Sequence, residues 1–78
     1  MPRYYFHLYN DITVHDQQGE DFPDEASAHR KAVQAAREMA AESVREGRLV
    51  LHHKIVICDE DSSEVTTISF GEAVSVEQ

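Results

Sequence analysis

RYYFHLY, residues 3–9, is the stretch that decides the fold. A strand with one face on a core and one in water alternates apolar with polar residues. Here Tyr4, Phe6 and Leu8 fall on one face and Tyr5, His7 and Tyr9 on the other, and neither set is made for water. The segment reads as a central strand whose second face needs a cover. A chain of 78 residues has too little material for a layer on both sides of a sheet, and a domain of this size buries only about 60% of its unfolded surface. It therefore gains from a partner.

Working outward, Asn10-Asp11 is a turn signal and residues 12–15 (ITVH) a second short strand, so residues 3–15 form a hairpin. Residues 16–24 (DQQGEDFPD) are a loop. Asp24 is a good N-cap, Glu25 suits the first turn of a helix, and Gly47 is placed as a C-terminal cap, which predicts one helix over residues 25–46. Ala28, Ala32, Ala36 and Ala40 recur at i, i+4, a ridge of small side chains that lets the helix sit close on a sheet. Residues 49–59 (LVLHHKIVICD) and 65–70 (VTTISF) read as third and fourth strands joined by an acidic turn. The expected fold is α+β in the order ββαββ: a four-stranded antiparallel sheet, strand order 2-1-3-4, with one long helix on one face. The whole chain, 1–78, reads as a single domain. With the helix packed on Tyr4, Phe6, Leu8, Leu51, Ile55 and Ile57, the open face carries Tyr5, His7, Tyr9, Val50, His52, Lys54, Val56 and Cys58. An aromatic patch interrupted by His and Lys suits a protein interface more than water.

Fifteen Asp and Glu against seven Lys and Arg give a net charge of -8. Such a field repels phosphate backbones and argues against nucleic-acid binding. The longest apolar run is Ile55-Val56-Ile57-Cys58, far short of a membrane span of about 20 residues. One cysteine forms no internal disulfide, and no basic or apolar leader follows Met1, so the expected home is the cytoplasm.

Five histidines raise the question of a metal site. His52 and His53 are adjacent on the expected strand and point to opposite faces. A two-residue Asn10-Asp11 turn pairs His7 with Val14 and separates it from His15, whereas a bulge or three-residue loop reverses this. His29 falls on the apolar arc of the helix. No spacing typical of zinc ligands is present, so neither metal nor cofactor is expected. Residues 59–64 (DEDSSE) begin like a calcium loop but place Glu64 where its turn glycine belongs. No nucleophile elbow, phosphate-cradling loop or dinucleotide fingerprint occurs, which argues against an enzyme.

The opening Met1-Pro2-Arg3-Tyr4-Tyr5-Phe6-His7, the GEDFPD of residues 19–24 before an Ala-rich helix, Cys58-Asp59-Glu60-Asp61 and the FGEAV of residues 70–74 resemble a family of small bacterial proteins known only as a domain of unknown function. Its members have leucine where Phe22 stands and glycine where Ser62 stands. The resemblance spans nearly the whole chain and implies a bacterial, cytoplasmic, single-domain protein, with no activity to transfer. The residues themselves favour a non-enzymatic interaction module or regulator, a homodimer or the partner of another protein, acting through the open face. The alternative is a small-ligand or metal binder using the sheet histidines.

Overall fold

The computed structural model describes residues 2–78. It is an α+β fold in which an antiparallel sheet carries one long helix. The elements in order are β1 (Arg3–Tyr9), β2 (Thr13–Val14), β3 (Glu20–Asp21), α1 (Glu25–Arg45), β4 (Lys54–Cys58), β5 (Glu64–Ser69) and α2 (Phe70–Ala73). The sheet has five strands, not four. Its main path runs β2-β1-β4-β5, and β3, inside the expected loop, lies off that path and pairs with β1. Both β2 and β3 are antiparallel to β1, β2 against Leu8 and Tyr9 and β3 against Arg3 and Tyr4.

The middle of β1, between those two short pairings, is completed by a side chain. The Asp16 carboxylate accepts the Phe6 N–H at 3.1 Å, and its other oxygen accepts the N–H groups of Gln18 and Gly19, each at 3.1 Å. An N–H that would otherwise be left without a partner is thereby satisfied.

Helix α1 begins and ends where the caps require. Asp24 accepts the Ser27 N–H at 2.8 Å. At the other end Gly47, with φ +93°, donates to the Val44 carbonyl and Arg48 donates to that of Ser43, the paired bonds of a Schellman motif. Ala28, Ala32, Ala36 and Ala40 are all buried, and the core they share holds Tyr4, Phe22, Ile55, Ile57, Ile68 and Phe70. Phe22 packs against Tyr4 and Phe6 with ring centroids 6.2 and 5.7 Å away.

The expected third strand is shortened. Residues 49–53 form a turn, and β4 starts only at Lys54. The reason lies at the other end of the chain: the carbonyls of Leu51 and His53 accept the N–H groups of Gly71 and Phe70, the first residues of α2. Leu51 is thus exposed rather than packed under α1. The expected fourth strand likewise stops at Ser69, whose hydroxyl caps α2 in a reciprocal capping box with Glu72.

Candidate functional site

The register gathers six of the eight candidate interface residues on the sheet face away from α1. Cross-strand pairing gives three rows: Tyr5, Cys58 and Glu64; His7, Val56 and Thr67; Tyr9, Lys54 and Ser69. Tyr5, His7 and Tyr9 are half-buried and Lys54 is exposed. Val56 and Cys58 are only 8% and 9% exposed within the single chain, so they floor the face rather than project from it. Val50 and His52 are not on this face: both belong to the 49–53 turn, where Val50 lines a recess beside α1 and His52 is exposed.

One further histidine, His15, reaches this face because the hairpin loop has three residues, not two. Leu8 pairs with Val14 and Tyr9 with Thr13, leaving Asn10, Asp11 and Ile12 in the loop. The Asn10 side chain accepts the Ile12 N–H at 3.1 Å and holds this shape. The added residue shifts the pairing by one, so His7 and His15 fall on the same side with ring centroids 5.1 Å apart. His29, expected on the apolar arc, is exposed near the start of α1.

The face is partly roofed by its own chain. Gly19, at φ +70°, lies so close that a methyl group there would sit 2.9 Å from the side chains of both Arg3 and Tyr5. His7 Nδ1 accepts the Asp16 N–H at 3.1 Å, so this imidazole organises the same loop. Sequence reasoning missed Asp16 as the hub of that loop. Its signal was the short side chain two and three residues before Gln18 and Gly19, a common turn pattern.

Charge is graded along the strands. Lys54 stands at one end of the face, its ammonium 5.7 Å from the Tyr9 ring centroid. At the other end Asp59 and Glu60 line a recess of about 230 Å³ with Tyr5, His7, Asp16 and Cys58. Burial, with the charges of Glu64 and Asp59, pushes the Cys58 thiol up, which disfavours the reactive thiolate. Burial works against ionisation of Asp16 too, yet the N–H groups of Gly19, Phe6 and Gln18 together hold its carboxyl below the ordinary range.

On the other side of the sheet, Asp11 pairs with Arg48 and lies 3.5 Å from the Nε2 of buried His53. The Arg48 hydrogen bond holds the Asp11 carboxyl below the ordinary range. This link ties the hairpin loop to the segment after α1, and no spacing in the sequence announced it. Among the described residues, no three His, Cys, Asp or Glu side chains converge to hold a metal ion, and no helix is long and apolar enough to cross a membrane.

No match was found among curated proteins or among solved structures. A family model described as Domain of unknown function (DUF6894) matches residues 3–71, and the chain belongs to that family.

Proposed function

We propose that this protein is a non-enzymatic interaction module that pairs with a second copy of itself through the sheet face opposite α1. The observation that carries this reading is a central strand built of large rings on both sides, of which α1 covers one. A twofold axis lying in the plane between two such faces, perpendicular to the strands and through the His7–Val56–Thr67 row, sets each Lys54 over the acidic end of its partner. Attraction is then made twice, once per subunit.

Three strands, β1, β4 and β5, about 4.8 Å apart and with about five residues each in the face at about 3.3 Å per residue give a flat footprint of roughly 240 Å². Stable interfaces bury about 800 Å² per partner, so this dimer belongs to the weak, concentration-dependent class. The acidic charge and the single unpaired cysteine support a cytoplasmic setting and a role without nucleic acid. No step of chemistry belongs to this reading: the thiol is buried and His7 is engaged in the loop.

Charge reversal tests the pairing. Lys54→Glu or Glu64→Lys alone should weaken the dimer roughly tenfold by analytical ultracentrifugation, and the double variant should recover most of the loss. A dissociation constant unmoved by either single change would sink this mode of pairing.

A further inference from the structure

We infer that the free edge of β5, with the flank of α1 above it, takes an extended acidic segment of a partner protein as an added strand. The two sides of the sheet end differently. Beyond β1 the edge is closed by the chain itself, through the two-residue β2 and β3 and the Asp16 carboxylate. Beyond β5, the last strand of the path, no strand pairs among the described residues. Exposed edges are ordinarily guarded by Lys, Pro or a bulge. β5 (EVTTIS) has neither Lys nor Pro, and its one register shift falls at its start, beside Cys58.

The ladder decides which groups stand free. The Phe70 N–H reaches the His53 carbonyl at 2.8 Å, and alternation back from that bond turns Ile68 and Thr66 toward β4 and the N–H and C=O of Thr67 outward. The Ser69 N–H, also outward, is taken by the Glu72 carboxylate at 3.2 Å, which closes the edge at α2. A strand laid antiparallel along residues 65–69 therefore pairs at Thr67.

The helix supplies selectivity. α1 lies over β4 and β5, and its flank borders two adjoining depressions of about 360 and 410 Å³ that share His29. The first lies between α1 and Val65 and Thr66, and the second continues past Val33 to Arg37. His29, Val33 and Arg37 recur at every fourth residue, about 6 Å apart along the helix, and alternate side chains of a strand are about 6.6 Å apart. Three successive helix-side residues of an added strand thus meet these three in turn.

Charge chooses the occupant. Arg30 and Arg37 make no ion pair among the described residues, and their hydrogen bonds go to the Ser27 hydroxyl and the Ala73 carbonyl. Glu25, at the start of α1, is the one carboxylate lining the two depressions. A second copy pairing β5 with β5 about a twofold axis turns two such basic flanks toward each other, whereas an acidic segment neutralises them. The middle residue, over half-buried Val33, is apolar. The partner segment is therefore acidic at its first and fifth positions and apolar at its third.

The probe is the pentapeptide Glu-Thr-Val-Thr-Glu, acetylated and amidated so that only its side chains carry charge, and palindromic so that either strand direction is served. Titration should give saturable amide shifts confined to β5 and to α1 from His29 to Arg37. The same peptide with Lys for Glu, or with its central amide nitrogen methylated to remove the pairing N–H, should bind at least about tenfold more weakly. Arg30→Glu, at an exposed position, should weaken the acidic peptide about tenfold while the amide spectrum keeps its fold. Equal binding of the acidic and lysine peptides, or of the methylated one, would overturn the assignment. So would β5 amide shifts that follow protein concentration with no peptide present, which give the edge to a second copy. This inference does not rest on the face-to-face dimer: peptide binding by a chain that stays monomeric rejects the dimer alone, and dimerisation without peptide binding rejects the added strand alone.

Discussion

Gly19 and Gly47 both hold positive φ, but only Gly19 is hemmed in. A Cβ there meets Arg3, Tyr5 and the Tyr4 carbonyl at 2.9 to 3.0 Å, while one at Gly47 meets nothing within 4 Å. Gly47→Ala should therefore cost about 1 kcal/mol, the strain of the left-handed backbone alone, and Gly19→Ala about 2–3 kcal/mol. Thermal melts check the ranking, at roughly 4–8 °C per kcal/mol for a domain of this size. Ser62 is the reverse case. It holds φ +63° in the turn between β4 and β5, where the resembling sequences carry glycine. Ser62→Gly should stabilise by about 0.5–1 kcal/mol, and a lower melting temperature would contradict the strain account. That strain was legible in the resemblance alone. The role of Asp16 was not, since a carboxylate that replaces a missing strand partner acquires its meaning only once two short strands share one edge of β1.

At the scale of elements, α1 was legible to within a residue because its signals are local: a capping aspartate, a terminal glycine and an alanine ridge. Its close seat on the sheet depends on that ridge. Ala32→Leu, at a position with 0% exposure, should destabilise by about 2 kcal/mol or more, since the backbone rather than a flexible side chain must yield. The 49–53 segment was misread because its run of Leu49, Val50 and Leu51 leads into the apolar KIVIC of β4 and satisfies a strand pattern, whereas its carbonyls serve α2, nearly 20 positions later. Helix α2 itself was written locally, as Ser69-x-x-Glu72. Phe70 anchors it at 1% exposure, and Phe70→Ala should cost about 3–5 kcal/mol, enough to leave a small domain largely unfolded by circular dichroism. The three-residue hairpin loop was one of two alternatives the sequence left open, and it decided which histidines meet.

The whole molecule measures 40 × 24 × 16 Å, thin in the direction in which a two-layer fold exposes a sheet face. Three carboxyls spread over it are held below their ordinary range: Asp11 by the Arg48 hydrogen bond, Asp24 by the Ser27 N–H, and Asp16 by three backbone N–H groups that outweigh burial. A carboxyl with a lowered folded-state pKa contributes stability that is full above its unfolded value of about 4 and is lost as pH falls through the folded one. The melting temperature should thus hold from pH 7 to about 5 and fall below about pH 4. Asp16→Asn should flatten part of that fall while lowering stability at neutral pH by about 1 kcal/mol, since Asp16 is only half-buried and an amide oxygen still accepts part of its hydrogen bonds. The location of the candidate face was legible in the opening strand, since period-two alternation sorts its side chains without further information. Its edges were not, because the roof of Gly19 and the depth of Val56 and Cys58 depend on loops and registers set by distant residues. The central claim is that this face pairs with its own copy, and the solution mass of the wild-type chain tests it most directly. Light scattering from about 10 µM to about 1 mM, a range suited to a weak interface, should rise from near 8.9 kDa toward twice that value, whereas a mass that stays at 8.9 kDa throughout would contradict the account.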